Sequence, residues 1–288
     1  MKLILLTSLT MLAFAANSVL CRMALAGESI DAASFTAIRL VSGALMLTIL
    51  ILFRAEFRGK NRHHILRAGS WRSATWLCLY ATGFSFAYLS VSTATGALIL
   101  FGAVQLTMMT ASLISGERPG MRVWAGYSLA VAGMVFLLLP GASAPSLWGA
   151  VLMAVAGAAW GMYSMRGRGS NNPLAQTAGN FLLTLPMSAL MLLLSLGRLH
   201  GNIDGVMLAI ASGALASGLG YALWYHVVSR TSGTTAASVQ LSVPLLAAAG
   251  GVLVMQEPIT MRLLLTSIMI LGGIALVSMN RQPVALPD

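Results

Sequence analysis

Residues 3–26 read LILLTSLTMLAFAANSVLCRMALA, and the only charge in them is Arg22. A helix of this length rises about 36 Å at 1.5 Å per residue, enough for the roughly 30 Å hydrocarbon core of a bilayer. Runs of this kind recur to the end of the chain. Reading between breaks gives ten candidate helices, near 3–26, 32–53, 73–89, 93–115, 121–139, 146–166, 175–197, 205–229, 234–255 and 260–279. The breaks carry turn chemistry: the basic stretch 54–72, ERPG, PGASAPS, GRGSNNP, RLHGNID, RTSGT and QEPIT. The weakest is LSVST at 89–93, which has neither charge nor Pro. Only 8% of residues are charged, against about 25% in soluble domains, so lipid is the expected solvent. The first run resembles a signal peptide, with Lys2 before it and AFA at 13–15. Its length exceeds an h-region, and we read it as a retained helix.

The net charge of +10 does not mark a nucleic-acid partner, because its distribution follows topology. With the N-terminus inside, thirteen of the seventeen Lys and Arg fall on inner segments and only Arg198 and Arg262 on outer ones, the remaining two, Arg22 and Arg39, lying in spans. Cytoplasmic loops carry this excess. Both termini are therefore expected in the cytoplasm, with the chain multi-pass in the inner membrane. The two cysteines, Cys21 and Cys78, lie in apolar runs and form no disulfide framework or thiolate metal site. No phosphate loop, metal-ligand spacing or nucleophile motif occurs, so no cofactor and no enzyme activity is expected.

A charge pattern returns 140 residues on. GERPGMRVWAG at 116–126 and QEPITMRLLLT at 256–266 match Glu117 to Glu257, Met121 to Met261 and Arg122 to Arg262. The same offset pairs Gly133 with Gly273, and LAFAANSVLC at 12–21 is similar to MAVAGAAWGM at 153–162. Residues 1–140 and 141–288 thus read as two copies of a five-helix unit. Five is odd, so the second copy enters the membrane inverted, as in many transporters. The Glu-Pro-Met-Arg stretch is then the turn between the fourth and fifth helices of each copy.

Here the chain resembles the EamA family of the drug/metabolite transporter superfamily. The resemblance rests on AAWG at 158–161, FTAIRL at 35–40, SVPLLAAAGGVLVMQE at 242–257, and the Glu before the last helix of each unit. It covers essentially the whole chain, though Val104 stands where the ninth helix has Pro244. It implies an all-α membrane protein of ten transmembrane helices in two inverted repeats. It also implies a transporter that works by alternating access. The aromatic-rich helices look most like the YddG-type exporters of aromatic amino acids.

Candidate binding residues follow from the cost of polar groups in lipid. Tyr80 and Phe84, with Tyr88, share one face of the third helix, and Tyr221 and Trp224 lie on the eighth. Trp160 and Tyr163 lie on the sixth. These rings either form an apolar box with polar tips or sit at the membrane interface. Asn17, Gln105, Asn180 and Gln240 either hold a substrate's carboxylate or ammonium or tie helices together. Arg39 lies about 12 Å into the second helix, with no acid in any span to pair with it. Carbonyls, water or a substrate carboxylate remain for it, unless it snorkels outward. All seven acids lie in loops or at helix ends, so no proton-relay carboxylate is available, and His226 is the only histidine in a span. The reading is an exporter of amino acids, aromatic or bulky and neutral, whose partners are a small-molecule substrate and the bilayer. The alternatives are a carrier of cationic drugs or another metabolite, a multi-pass enzyme lacking any catalytic cluster, and a sensor lacking a soluble domain.

Overall fold

The computed structural model describes residues 2–53, 68–116, 120–141, 144–167, 172–228 and 239–279. Among these the architecture is all-helical, and the expected order of helices holds. The helices are α1 (Lys2–Ala26), α2 (Ala32–Phe53), α3 (Trp71–Ala87), α4 (Thr93–Ile114) and α5 (Met121–Leu138). Next come α6 (Leu147–Gly167) and α7 (Pro173–Leu194). Then α8 is built from Ile203–Ile210, a π-helical stretch Ala211–Leu219 and Gly220–Val228. The last two are α9 (Ser242–Met255) and α10 (Met261–Met279). Eight of these runs are long and apolar enough to cross a membrane. Glu117, the counterpart of Glu257 in the repeated pattern, and the basic residues 54–67 lie outside the described residues.

Local chemistry sets the helix starts. Asp31 accepts from the Ser34 amide at 2.9 Å, and Ser70 from Ser73 at 3.2 Å. Asn172, just before Pro173, accepts from Ala175 at 3.1 Å, and Asn202 from Gly205 at 2.9 Å. Each side chain thereby satisfies one of the amides a helix start leaves orphaned. The α9 helix ends on Gln256 in the left-handed region, at φ 54°.

Packing is between small faces. A Cβ on Gly126 would stand 2.5 Å from the Gly273 carbonyl oxygen, so α5 and α10 touch backbone to backbone. This pair joins the rest of the bundle mainly through α4. Elsewhere α3 and α4 pack on α6, α2 on α7 and α8, and α1 on α8 and α9.

The loops at one end, where α1, α3, α5, α7 and α9 finish, are tied to each other. Arg22 and Glu257 form an ion pair at 3.3 Å, the Glu257 carboxylate accepts from the Thr93 amide at 2.8 Å, and Arg22 donates to the Tyr88 carbonyl at 2.7 Å. Arg22, near the end of the first span, is thus part of a latch. The break at LSVST is a tight turn held by these bonds. Asp31 and His200 exchange hydrogen bonds, the Asn202 amide donates to the Ser29 carbonyl, and Arg262 donates to the carbonyls of Leu139 and Pro140. At the other end the Ser70 amide donates to Asn180 Oδ1 at 2.9 Å, and Arg166 donates to Ser73 at 3.2 Å.

Candidate functional site

Between the two tied ends lies a cavity enclosed by α1, α3, α4, α6 and α8. Phe14, Asn17 and Ser18 line it from α1, at i, i+3 and i+4 on one helical face. Tyr80 and Phe84 come from α3, Leu100 and Phe101 from α4, Trp160 from α6, and Ala216 and Tyr221 from α8. The empty space is about 360 Å³ including its open mouth. Its enclosed part has room of the order of a water molecule, not an amino acid.

The wall is aromatic on three sides. The Trp160 ring lies 4.9 Å from both Tyr80 and Tyr221 and 5.5 Å from Tyr163. Phe14 meets Tyr221 edge-on at 5.9 Å and Trp224 at 5.8 Å. Such spacings suit offset and edge-to-face contact.

One polar chain runs through the wall. Ser212 donates to Asn17 Oδ1 at 2.6 Å, and Asn17 Nδ2 donates to the Tyr80 hydroxyl at 3.4 Å. Arg39 Nη2 donates to the same hydroxyl at 2.9 Å, and Arg39 Nε donates to Ser217 at 3.2 Å. The Tyr80 hydroxyl thus accepts from both Asn17 and Arg39, and Tyr80 itself lies on the cavity lining. Arg39 itself is 2% exposed and stands behind Tyr80 and Phe84, its guanidinium carbon 5.1 and 4.8 Å from their ring centres. Its Nη1 is buried with no hydrogen-bond partner. The single ion pair among the described residues is Arg22–Glu257, so none of the described acids neutralises Arg39.

The structure thus brings Asn17, Tyr80, Phe84, Trp160 and Tyr221 onto the cavity wall, with Arg39 behind it. Tyr163 and Trp224 are a ring further out. Asn180 is buried but remote: it receives Ser70 and donates to the Tyr163 hydroxyl at 3.4 Å, tying α7 to α3 and α6. Gln105 is half-buried a turn beyond Phe101, and Gln240 half-buried in a helical residue pair just before α9, neither on the lining. The Tyr225 side chain lies outside the described residues. Sequence reasoning missed Phe14, Ser18, Leu100, Phe101 and Ala216. Phe14 and Ser18 were accessible from their helical spacing to Asn17. The others look like any apolar helix face. It also missed Ser212 and Ser217, which lie among the small residues of ASGALASGL at 211–219.

Known proteins share this fold. A chain of known crystal structure superposes with a TM-score of 0.64 over 94% of this chain and 98% of its own, at 21% identity, so the fold is shared. An uncharacterized protein of Pseudomonas aeruginosa is 52% identical, the match covering 95% of this chain and 93% of that one. The threonine/homoserine exporter RhtA of Escherichia coli is 28% identical over 87% of this chain and 82% of its own. Residues 147–279 match the profile of the EamA-like transporter family. The chain belongs to that family, and is a multi-pass membrane transporter of a small molecule, not an enzyme.

Proposed function

We propose that the protein exports neutral amino acids, aromatic or bulky ones foremost, across the inner membrane by alternating access. The observation that carries this reading is the buried Arg39 guanidinium, with one nitrogen unpartnered and none of the described acids beside it. An uncompensated cation favours a ligand that brings a carboxylate. The Tyr80 hydroxyl transmits that preference to the cavity, and Asn17 offers an amide. The rings of Phe101, Trp160 and Tyr221 then take the side chain. A cationic drug fits poorly against this charge.

The two-unit reading, 1–140 and 141–288, supports the mechanism. The α5–α10 contact joins Gly126 to Gly273, and the offset of 140 maps this contact onto Gly133 and Thr266, across the same pair of helices. The Arg22–Glu257 latch, the Asp31–His200 clasp and the Ser70–Asn180 bond each cross from one unit to the other. Rocking of the units breaks one set of ties while the other holds. The distribution of Lys and Arg puts the latch on the outer face and both termini in the cytoplasm.

A second reading, threonine and homoserine, draws on the similarity to RhtA. The test is exchange of labelled tryptophan, phenylalanine, threonine and homoserine into liposomes that hold the purified protein and no pH gradient. Saturable exchange of the aromatic pair is expected. Exchange of threonine and homoserine alone favours the second reading, and exchange of a quaternary ammonium compound alone overturns both.

A further inference from the structure

Ser and Thr in a buried helix commonly bond back to a carbonyl of their own preceding turn. In this protein Thr36, Ser42, Thr48, Ser85, Thr184 and Ser188 do so. Ser212 and Ser217 do not. Both are buried, at 0% and 1% exposure, and both turn to other helices, Ser212 to Asn17 on α1 and Ser217 to Arg39 on α2.

The π-helical stretch explains how one helix serves both. Ser212 and Ser217 are five residues apart, which places them about 140° apart around a 3.6-residue helix. Winding with i→i+5 bonds brings such residues toward a single face. The winding is visible in the Gly220 amide, which bonds to the Leu215 carbonyl. The glycines keep this stretch close to α2. A Cβ on Gly213 would collide with Ser42 and the Arg39 carbonyl, and one on Gly218 would stand 3.0 Å from Met46.

We propose that Ser212 and Ser217 are positioning residues of the transport site, and that the π-helical winding of α8 exists to present both at once. Ser212 fixes the Asn17 amide so that its Nδ2 faces Tyr80. Ser217 holds the Nε side of Arg39 so that Nη2 reaches Tyr80 and Nη1 stays free. The two routes converge on one hydroxyl, which alone of that group faces the cavity from α3. Any slip of α8 from π to α winding turns one serine away and releases Tyr80, so the site's polar wall is coupled to the register of α8. The inference rests on the amino-acid reading above.

The experiment combines transport with side-chain NMR on the reconstituted full chain. Ser212→Ala and Ser217→Ala are expected to raise KM for the exchanged amino acid roughly tenfold, the scale of one lost hydrogen bond in a charged network. Ser212→Thr and Ser217→Thr, which keep the hydroxyl, restore it. In a Tyr80→Phe background neither alanine variant has a further effect, because both act through that hydroxyl. Additive losses in that background overturn the proposal. The second readout needs no transport. With ¹⁵N-labelled Asn and Arg, the Arg39 Nε–H (assigned by its loss in Arg39→Lys) is protected from exchange in wild type and Ser217→Thr but not in Ser217→Ala. The Asn17 amide resonances (assigned by Asn17→Ala) shift in Ser212→Ala alone. Signals unmoved by the alanine variants overturn the proposal. A wild type that exchanges no amino acid refutes the reading of the substrate, while the NMR arm still decides the positioning roles.

Discussion

Arg39 combines three properties that rarely meet: full burial, a membrane-spanning helix and no acidic neighbour among the described residues. A charge at such depth costs several kcal/mol on most scales, and partial compensation comes from Ser217, the Tyr80 hydroxyl and two ring faces. Lysine keeps the charge but cannot hold two partners from a planar fork. Arg39→Lys is therefore expected to cut kcat/KM about tenfold or more with folding retained, measured by exchange in proteoliposomes beside a thermal melt. Asp31 offers a different test. Partial burial pushes its carboxyl up, but the amides of Ser34, His200 and Ala33 outweigh this and hold it below its ordinary 3.8. A lowered folded value means the carboxylate stabilises in full above 3.8 and loses its contribution as the pH falls through the folded value. Asp31→Asn should thus melt below wild type at neutral pH, and the gap in Tm should close only below about pH 4.

At the scale of the element, three kinds of device decide how the helices lie. Asx and Ser caps fix where α2, α3, α7 and α8 begin. All four are written in the sequence as Asp31, Ser70, Asn172 and Asn202. Glycine faces fix how closely the helices pack, and here the sequence is ambiguous. Gly272 and Gly273 are adjacent, yet a Cβ on Gly272 meets nothing within 4 Å while one on Gly273 strikes the Gly126 carbonyl at 2.5 Å. Gly273→Ala is expected to lower the melting temperature and weaken α5–α10 packing, whereas Gly272→Ala leaves both within error or raises stability slightly. Equal behaviour of the two would refute the backbone contact. The π-helical stretch is the third device. Nothing in ASGALASGL distinguishes it from α-helix by propensity; its winding is selected by partners on α1 and α2.

Over the whole molecule, ties among the described residues hold the helix ends together and the cavity between them is narrow. The Arg22–Glu257 pair draws α1, α3, α4 and α9 together, and Gly251 makes room for it, since a Cβ there would meet Glu257 Oε2 at 2.6 Å. Cys21, fully buried beside Arg22, reports on this latch. In a Cys78→Ala background, Glu257→Gln is expected to speed labelling of Cys21 by a membrane-impermeant maleimide added from the outer side. An unchanged rate would show that the latch does not close the path.

Much of this was legible before any coordinates. Ten apolar runs, their breaks and the resemblance to a transporter family follow from solvent and spacing, because lipid forces every backbone group into its own helix and leaves an uncharged run few options. The need to compensate Arg39 was legible too, as the absence of acids in spans is a property of the chain. Which polar residues meet was not. Asn17 and Asn180 look equivalent in sequence, yet one lines the cavity and the other ties α7 to α3 and α6. Gln105 and Gln240 stayed outside for the same reason: the rotation of a helix about its axis is set by the neighbours it packs against. The sequence alone determined that this chain crosses a membrane as a helical bundle. Only tertiary packing decided which faces turn inward and that two serines, five apart, act on one tyrosine.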